Sequence, residues 1–279
     1  MERRVFGSIE RNVPVIGQGT WQITSRERQL AVSALKRGID LGMTHIDTAE
    51  MYRGAEEIVA EAIAGRRDEV FLVSKVLPDN ASRKKTIAAC ERSLKRLATD
   101  RLDGYLLHWP SSDPLEETIA AFEELRAAGK ILSWGLSNFD VNDLDEALAI
   151  AGEGKIACNQ VLYHLRERAI EHRVVPWCEK HGVAVVAYSP FGHNDFPSPR
   201  SKAGEVLQRI AEAHGVSPRQ VALAFLTREP CMFAIPKAST PEHAAENAAA
   251  GDLVLSDEEI AGIDKAFPRG PKPRSLPML

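Results

Sequence analysis

The sequence predicts an α/β fold in which eight short parallel strands alternate with about eight helices. This is a single-domain (β/α)8 TIM barrel over residues 1–279, preceded by an N-terminal β-hairpin and followed by a Pro-rich C-terminal tail. Three observations predict it. Short apolar runs rich in β-branched residues recur along the chain, as strands covered on both faces require. Between them lie longer stretches whose apolar residues repeat at helical spacing. Nearly every apolar run also ends, at its C-terminal side, in a polar residue able to do chemistry, and a parallel barrel sends all those ends to one face.

Taken in order, Arg4 to Ile16 reads as a hairpin turning at Glu10-Arg11-Asn12, with Val13 to Ile16 also the first strand-like run. A helix is expected over Arg26 to Leu41, with Leu30, Ala31, Ala34, Leu35 and Ile39 on one face. The other strands are Thr44 to Ile46, Val70 to Val73, Leu102 to Leu107, Ile131 to Leu136, Lys155 to Cys158, Val183 to Ala187 and Cys231 to Ile235. Helical patterns cover Ser82 to Leu97, Pro114 to Ala128, Val141 to Ala151, Ile170 to His181 and Gly204 to His214. Gly42, Gly129, Gly182 and Gly215 sit where helices stop. Thr240-Pro241 marks one more helix start, an N-cap followed by Pro at the first position. Pro268 to Leu279 cannot be helical and is expected to pack over one end. A doubly wound sheet is the rival. Its Gly-x-Gly-x-x-Gly signature is broken here at Gln22, and no helix starts at once.

Composition excludes other classes. With 44% hydrophobic and 27% charged residues, the chain is neither disordered, collagen-like nor a coiled coil. A net charge of −4 leaves no electrostatic footprint for nucleic acid or an anionic membrane. Cys90, Cys158, Cys178 and Cys231 lack both a disulfide framework and metal spacing, and read as reduced thiols of a cytoplasmic protein. The first residues, MERRVFGSIE, have no apolar stretch of signal-peptide type, and no apolar run is long enough to span a bilayer.

The strand ends gather Asp47, Lys75, His108, Ser137-Asn138, Asn159-Gln160, Tyr188-Ser189 and Lys237 around one mouth. Asp47 and Lys75 are the natural ion pair, because an unpaired charge beside a barrel core costs several kcal/mol. Metal-dependent hydrolysis is the obvious rival on this fold. It would need His-x-His or a His-carboxylate cluster, and the nearest approach is His45-x-Asp47. No metal is expected. The sequence has neither a serine-hydrolase elbow nor a glycosidase acid pair.

At these residues the sequence resembles the aldo-keto reductase family. The matching stretches are Gly17 to Trp21, Asp47 to Tyr52, Val73 to Lys75, Leu106 to Pro110, Gly135 to Phe139, Asn159 to Val161, Ala187 to Pro190 and Ile235 to Lys237, in family order over essentially the whole chain. The resemblance implies NADPH-dependent reduction of aldehydes and ketones to alcohols, with a catalytic tetrad of Asp47, Tyr52, Lys75 and His108 and with Tyr52 as proton donor. A free tyrosine, with a pKa near 10, is a poor donor at neutrality, and a nearby lysine ammonium is expected to lower that value. The resemblance also implies a cofactor site. Tyr188 stacks on the nicotinamide, Ser137, Asn138 and Gln160 bind its carboxamide, and Gly19, Thr20, Trp21 and Asp47 line it. Ser189, Pro190 and Phe191 continue the wall. Lys237, Ala238, Ser239, Thr240 and His243 take the 2′-phosphate at a helix N-terminus, with Glu246 and Asn247 on the adenine.

The substrate pocket is expected to be walled by Trp21, Tyr52, His108 and Trp109. The loops around it are short, so small or aromatic aldehydes and 2-oxoaldehydes such as methylglyoxal are the expected substrates. The family often has Ser at Ala238 and Arg at His243, which puts NADP selectivity in question, and the loop after Tyr52 is short. A small-molecule carbonyl partner and a monomer are expected. The alternatives are a non-catalytic NADPH-binding subunit or sensor on the same fold, a metal hydrolase, and a structural role.

Overall fold

A computed structural model describes residues 1–23 and 27–279. An eight-stranded sheet runs in the order β10-β9-β8-β7-β6-β5-β4-β3, all parallel between neighbours. These strands are β3 (Gln18–Gly19), β4 (His45–Asp47), β5 (Phe71–Val76), β6 (Leu102–Leu107), β7 (Ile131–Ser137), β8 (Ile156–Leu162), β9 (Ala184–Tyr188) and β10 (Met232–Ala234). The sheet curls until its edges meet. Gly17 N donates to Ala234 O at 2.8 Å, Gly19 N to Pro236 O at 3.1 Å, and Ala234 N to Val15 O at 2.9 Å. The fold is the (β/α)8 barrel expected from the strand-helix alternation.

The seam explains one correction. Val13 to Ile16 is divided between hairpin and barrel: Val15 and Ile16 meet β10, Ile16 pairing parallel with Ala234, but the run does not form one strand. Val13 belongs to β2 (Asn12–Pro14), which pairs antiparallel with β1 (Arg3–Val5) in the expected hairpin. The segment that pairs with β4 is the glycine-bearing one that follows. A Cβ on Gly19 would stand 2.6 Å from Ile235 O, so only glycine lets the edges close. The hairpin plugs the bottom of the barrel. Phe6 is buried there against Phe71 and Phe233, each at 4.9 Å between centroids.

Helices α1 (Arg28–Asp40), α2 (Ala55–Ile63), α3 (Arg83–Arg96), α4 (Leu115–Ala127), α5 (Val141–Ala151), α6 (Val174–Lys180), α7 (Lys202–His214), α8 (Pro218–Leu226), α9 (Pro241–Ala249) and α10 (Asp257–Ala266) form the outer layer. Each buries one stripe, as α1 does with Ala31, Val32, Leu35 and Ile39. A fully buried aliphatic side chain contributes roughly 1.5–3 kcal/mol. The expected start of the first helix at Arg26 lies outside the described residues, and α1 begins at Arg28. The single helix expected over Ile170 to His181 is two pieces, a 3-10 turn at Ala169–His172 and then α6. Pro176 has no N–H for a bond to His172 O, and its ring would clash there. Helices α2, α8 and α10 were not singled out from the sequence. The tail beyond Phe267 carries no helix, and Leu279 N donates to the Tyr188 hydroxyl at 3.3 Å.

Among the described residues no helix is long and apolar enough to cross a membrane.

Candidate active site

The side-chain alternation of β5 sets the first element of the site. Ser74 faces the helix layer, donating to Glu56 Oε1 at 2.7 Å, and Glu56 also pairs with Arg96 at 2.5 Å. Its neighbour Lys75 therefore points into the barrel. Its fully buried ammonium donates to Asp47 Oδ1 at 2.5 Å and to Thr48 O at 2.8 Å. Gln160 Nε2 donates to the other Asp47 oxygen at 2.8 Å, and Thr20 Oγ1 to Asp47 O at 2.9 Å. Burial alone would lower the Lys75 pKa, but Asp47 and the Tyr52 phenol together lift it above its ordinary value. Burial pushes Asp47 up against the pull of Lys75 and Gln160.

Tyr52 reaches this pair from the loop after β4. The loop is pinned by Glu50, whose carboxylate accepts from Leu77 N at 2.8 Å and Asn80 Nδ2 at 2.9 Å. Gly54, at φ 75°, turns the chain into α2. Shortness therefore does not keep the tyrosine from the mouth. Lys75 Nζ lies 5.1 Å from the Tyr52 ring centroid, and the His108 ring stands 5.7 Å from it, edge to face. The balance on the phenol differs from the sequence expectation. Burial raises the Tyr52 pKa by more than Lys75 lowers it, so the free protein keeps the hydroxyl protonated. His108 is held neutral, pushed down to about 3 by burial and by the Lys75 charge, and its Nδ1 has no partner among the described residues.

Asp47, Tyr52 and His108 open onto a cavity of about 430 Å³, with Lys75 enclosed behind them. Gly19, Thr20, Trp21, Trp109, Ser137, Asn138, Gln160, Tyr188, Ser189, Pro190, Phe191 and Lys237 line it. Asn138 is held at φ 62°. Its amide donates to His108 O at 3.1 Å, and its Oδ1 accepts from the Tyr188 hydroxyl at 2.9 Å. A second hollow continues the cleft and shares Phe191 and Lys237 with the first. Ser239, His243, Glu246, Asn247 and Arg219 line it.

Ala238 and Thr240 line neither hollow. Thr240 spends its hydroxyl capping α9, accepting from His243 N at 3.2 Å, and Ala238 packs on the core. His45 does not join Asp47 at the mouth. It is buried below, edge-on to Phe6 and Phe71 at 5.6 and 5.4 Å.

Sequence reasoning missed Met51, Gln22, Gly192, His193, Asn194, Ile235 and Leu279 on the first hollow and Arg219 on the second. Met51 and Gln22 adjoin residues that were singled out. His193, 5.7 Å from the Trp21 ring, sits on a loop that pattern reading does not place. Leu279 reaches the mouth only through the path of the tail.

The Lys237 ammonium meets only a backbone carbonyl, Gln22 O at 3.2 Å, and among the described residues neither it nor Arg219 is in a salt bridge. Two cations without a counter-ion at the far end of an elongated cleft fit an anionic cofactor tail.

The family model of the aldo/keto reductase family matches residues 15–267. The chain is 48% identical to methylglyoxal reductase YeaE of Escherichia coli over 92% of each chain. It is 35% identical to glyoxal reductase of Bacillus subtilis over 95% of this chain and 94% of that one. A Klebsiella pneumoniae aldo/keto reductase crystallised with NADP and acetate superposes with a TM-score of 0.93 at 45% identity, covering 100% of both chains. The barrel, the ordered strand-end residues and these likenesses agree, and the chain belongs to the aldo/keto reductase family.

Proposed function

We propose that this protein reduces small 2-oxoaldehydes and aromatic aldehydes, with Tyr52 as the proton donor. The chain is an NADPH-dependent oxidoreductase acting on carbonyl groups. The observation that carries the assignment of roles is the convergence of the Tyr52 ring, the Lys75 ammonium and the neutral His108 ring at the inner wall of one cavity.

When bound, NADPH supplies a hydride to the carbonyl carbon. As negative charge grows on the carbonyl oxygen, the Tyr52 hydroxyl gives it a proton. Lys75 stabilises the tyrosinate left behind, and Asp47 keeps Lys75 charged and aimed. His108, neutral, donates a hydrogen bond to the same oxygen and orients the substrate. Trp21 and Trp109 wall a site for a flat or compact molecule. Gly19, Thr20, Ser137, Asn138, Gln160 and Tyr188 hold the nicotinamide end. Ser189, Pro190 and Phe191 continue along the cofactor, and Lys237, Ser239, His243, Glu246 and Asn247 hold the adenylate end. Thr240 serves that end by capping α9, and Ala238, expected there from the sequence, packs on the core instead. The reading includes a monomer working in the cytoplasm, and the 2-oxoaldehyde preference draws on the named reductases it resembles. Those names and the assembled tetrad weigh against a non-catalytic sensor.

The test is single-turnover methylglyoxal reduction with NADPH binding followed in parallel by cofactor fluorescence. Tyr52→Phe keeps the ring and is expected to lose about 10²–10⁴-fold in rate, with NADPH affinity nearly unchanged. Lys75→Met is expected to lose a similar factor, and the double variant much less than the product, because the two residues act as a unit. Near-wild-type turnover by Tyr52→Phe overturns the role. Tight NADPH binding with no turnover of any aldehyde by the wild type returns the sensor reading.

A further inference from the structure

Arg219 stands at an unfavourable place on its helix. It is the second residue of α8, where a cation faces the positive end of the helix dipole at a cost of a few tenths to about 1 kcal/mol. No acidic residue in that first turn offsets it. Its guanidinium carbon lies 5.1 Å from the Phe191 ring centroid and 5.2 Å from that of Phe196, and the two rings stand 5.8 Å apart, edge to face. Both rings come from the loop after β9, whose residues 189–192 line the catalytic cavity. The one carboxylate that lines the second hollow with Arg219, that of Glu246, accepts instead from Ser217 Oγ at 2.5 Å.

We propose that Arg219 is a second cation for the 2′-phosphate of NADPH, reaching it from α8 rather than from the Lys237 to His243 segment, and that it sets the preference for NADPH over NADH. The proposal rests on the NADPH reading of the cleft and adds to it a residue outside the expected phosphate strip. The chemistry is specific. Its neighbours here are the two phenyl rings, and among the described residues none of its N–H groups donates to an acceptor, which leaves those donors for an anion. Those donors form a fixed fork that matches phosphate oxygens two at a time. The rings also hold the fork in place, so less side-chain entropy is lost on binding. Arg219 thus supplies a permanent charge in the hollow where the chain carries His243, an imidazole charged only when protonated.

Arg219→Ala and Arg219→Lys are compared with the wild type by titrating NADPH, NADH, adenosine 2′,5′-bisphosphate and 5′-AMP, with melting temperature as a control for folding. The expected result for Arg219→Ala is a loss of about ten- to a hundred-fold for NADPH and for the bisphosphate, with NADH and 5′-AMP changed by less than about two-fold. Arg219→Lys is expected to recover part of the loss, since it keeps the charge but not the fork. An equal loss for NADPH and NADH overturns the proposal, leaving Arg219 as a fastener of the Phe191–Phe196 loop. Unchanged NADPH affinity in Arg219→Ala overturns it outright. If the wild type fails to prefer the bisphosphate over 5′-AMP, the NADPH reading of the cleft fails first and carries the proposal with it.

Discussion

Lys75 has no exposed surface, yet it remains an ammonium because every direction around it is answered. Asp47 and Thr48 O accept its protons, and the Tyr52 phenol lies over it. The same charge keeps a second proton off His108, whose pKa is pushed down to about 3 by burial first and Lys75 second. Tyr52 titrates above its ordinary value, again through burial. Between pH 5 and 8 neither group changes charge, so kcat/KM for a non-ionisable aldehyde is expected to be flat there and to fall only in alkali as the phenol ionises. A pH-rate profile checks this. A step between pH 6 and 7 that disappears in His108→Asn contradicts the proposed neutral imidazole.

At the level of elements, the site depends on a narrow seam, residues 15–19 against Ala234 and Pro236. β3 (Gln18–Gly19) is short, and it meets the backbone beyond β10 closely enough that a methyl group at Gly19 would stand 2.6 Å from Ile235 O. Gly19, Ile235 and Lys237 all line the cleft, so the place where the barrel closes is also the place where the cofactor is proposed to lie. Gly19→Ala is expected to push the two edges apart, costing about 1–3 kcal/mol of stability and weakening NADPH binding. Urea denaturation and cofactor titration measure the two effects, and a variant as stable as the wild type removes the closure argument. The loop after β4 makes the complementary point. It is short, but Glu50 ties it to Leu77 N and Asn80, which places Tyr52 without extra chain.

For the whole molecule, the interior of the barrel sets the acid limit. His45 is fully buried among Phe6 and Phe71, both ring nitrogens lack partners among the described residues, and burial followed by the Lys75 charge pushes its pKa from 6.5 to about 3. The folded state therefore binds fewer protons than the unfolded chain between about pH 3 and 6.5. Stability from this group is fully present above 6.5 and is lost as the pH falls below it. At pH 5 the loss is about 2 kcal/mol for His45, and His108 adds a similar amount. Melting temperature is expected to fall from pH 7 to pH 5, and His45→Phe is expected to flatten that slope. An unchanged slope in a folded His45→Phe variant shows that other groups control it.

The strand-helix alternation and the polar residue closing each strand were legible in the sequence, because both follow from local rules of period and burial. Asp47, Lys75, His108, Asn138, Gln160, Tyr188 and Lys237 could be assigned to one face because parallel strands share a direction. α5 matches its expected span residue for residue, while the break at Arg173 was missed because a proline near a helix start is locally acceptable. Tertiary structure alone decided the rest. Chain direction does not say which residues close the barrel, so the division of Val13 to Ile16 between hairpin and seam, and the close approach of Gly19 to Ile235 O, are decided by the fold. The upward shift of Tyr52 depends on how much water is excluded around the ring, a property of packing rather than of neighbours in sequence. Arg219 and Leu279 reach the cleft from far along the chain, and nothing in local periodicity registers a contact made across the fold.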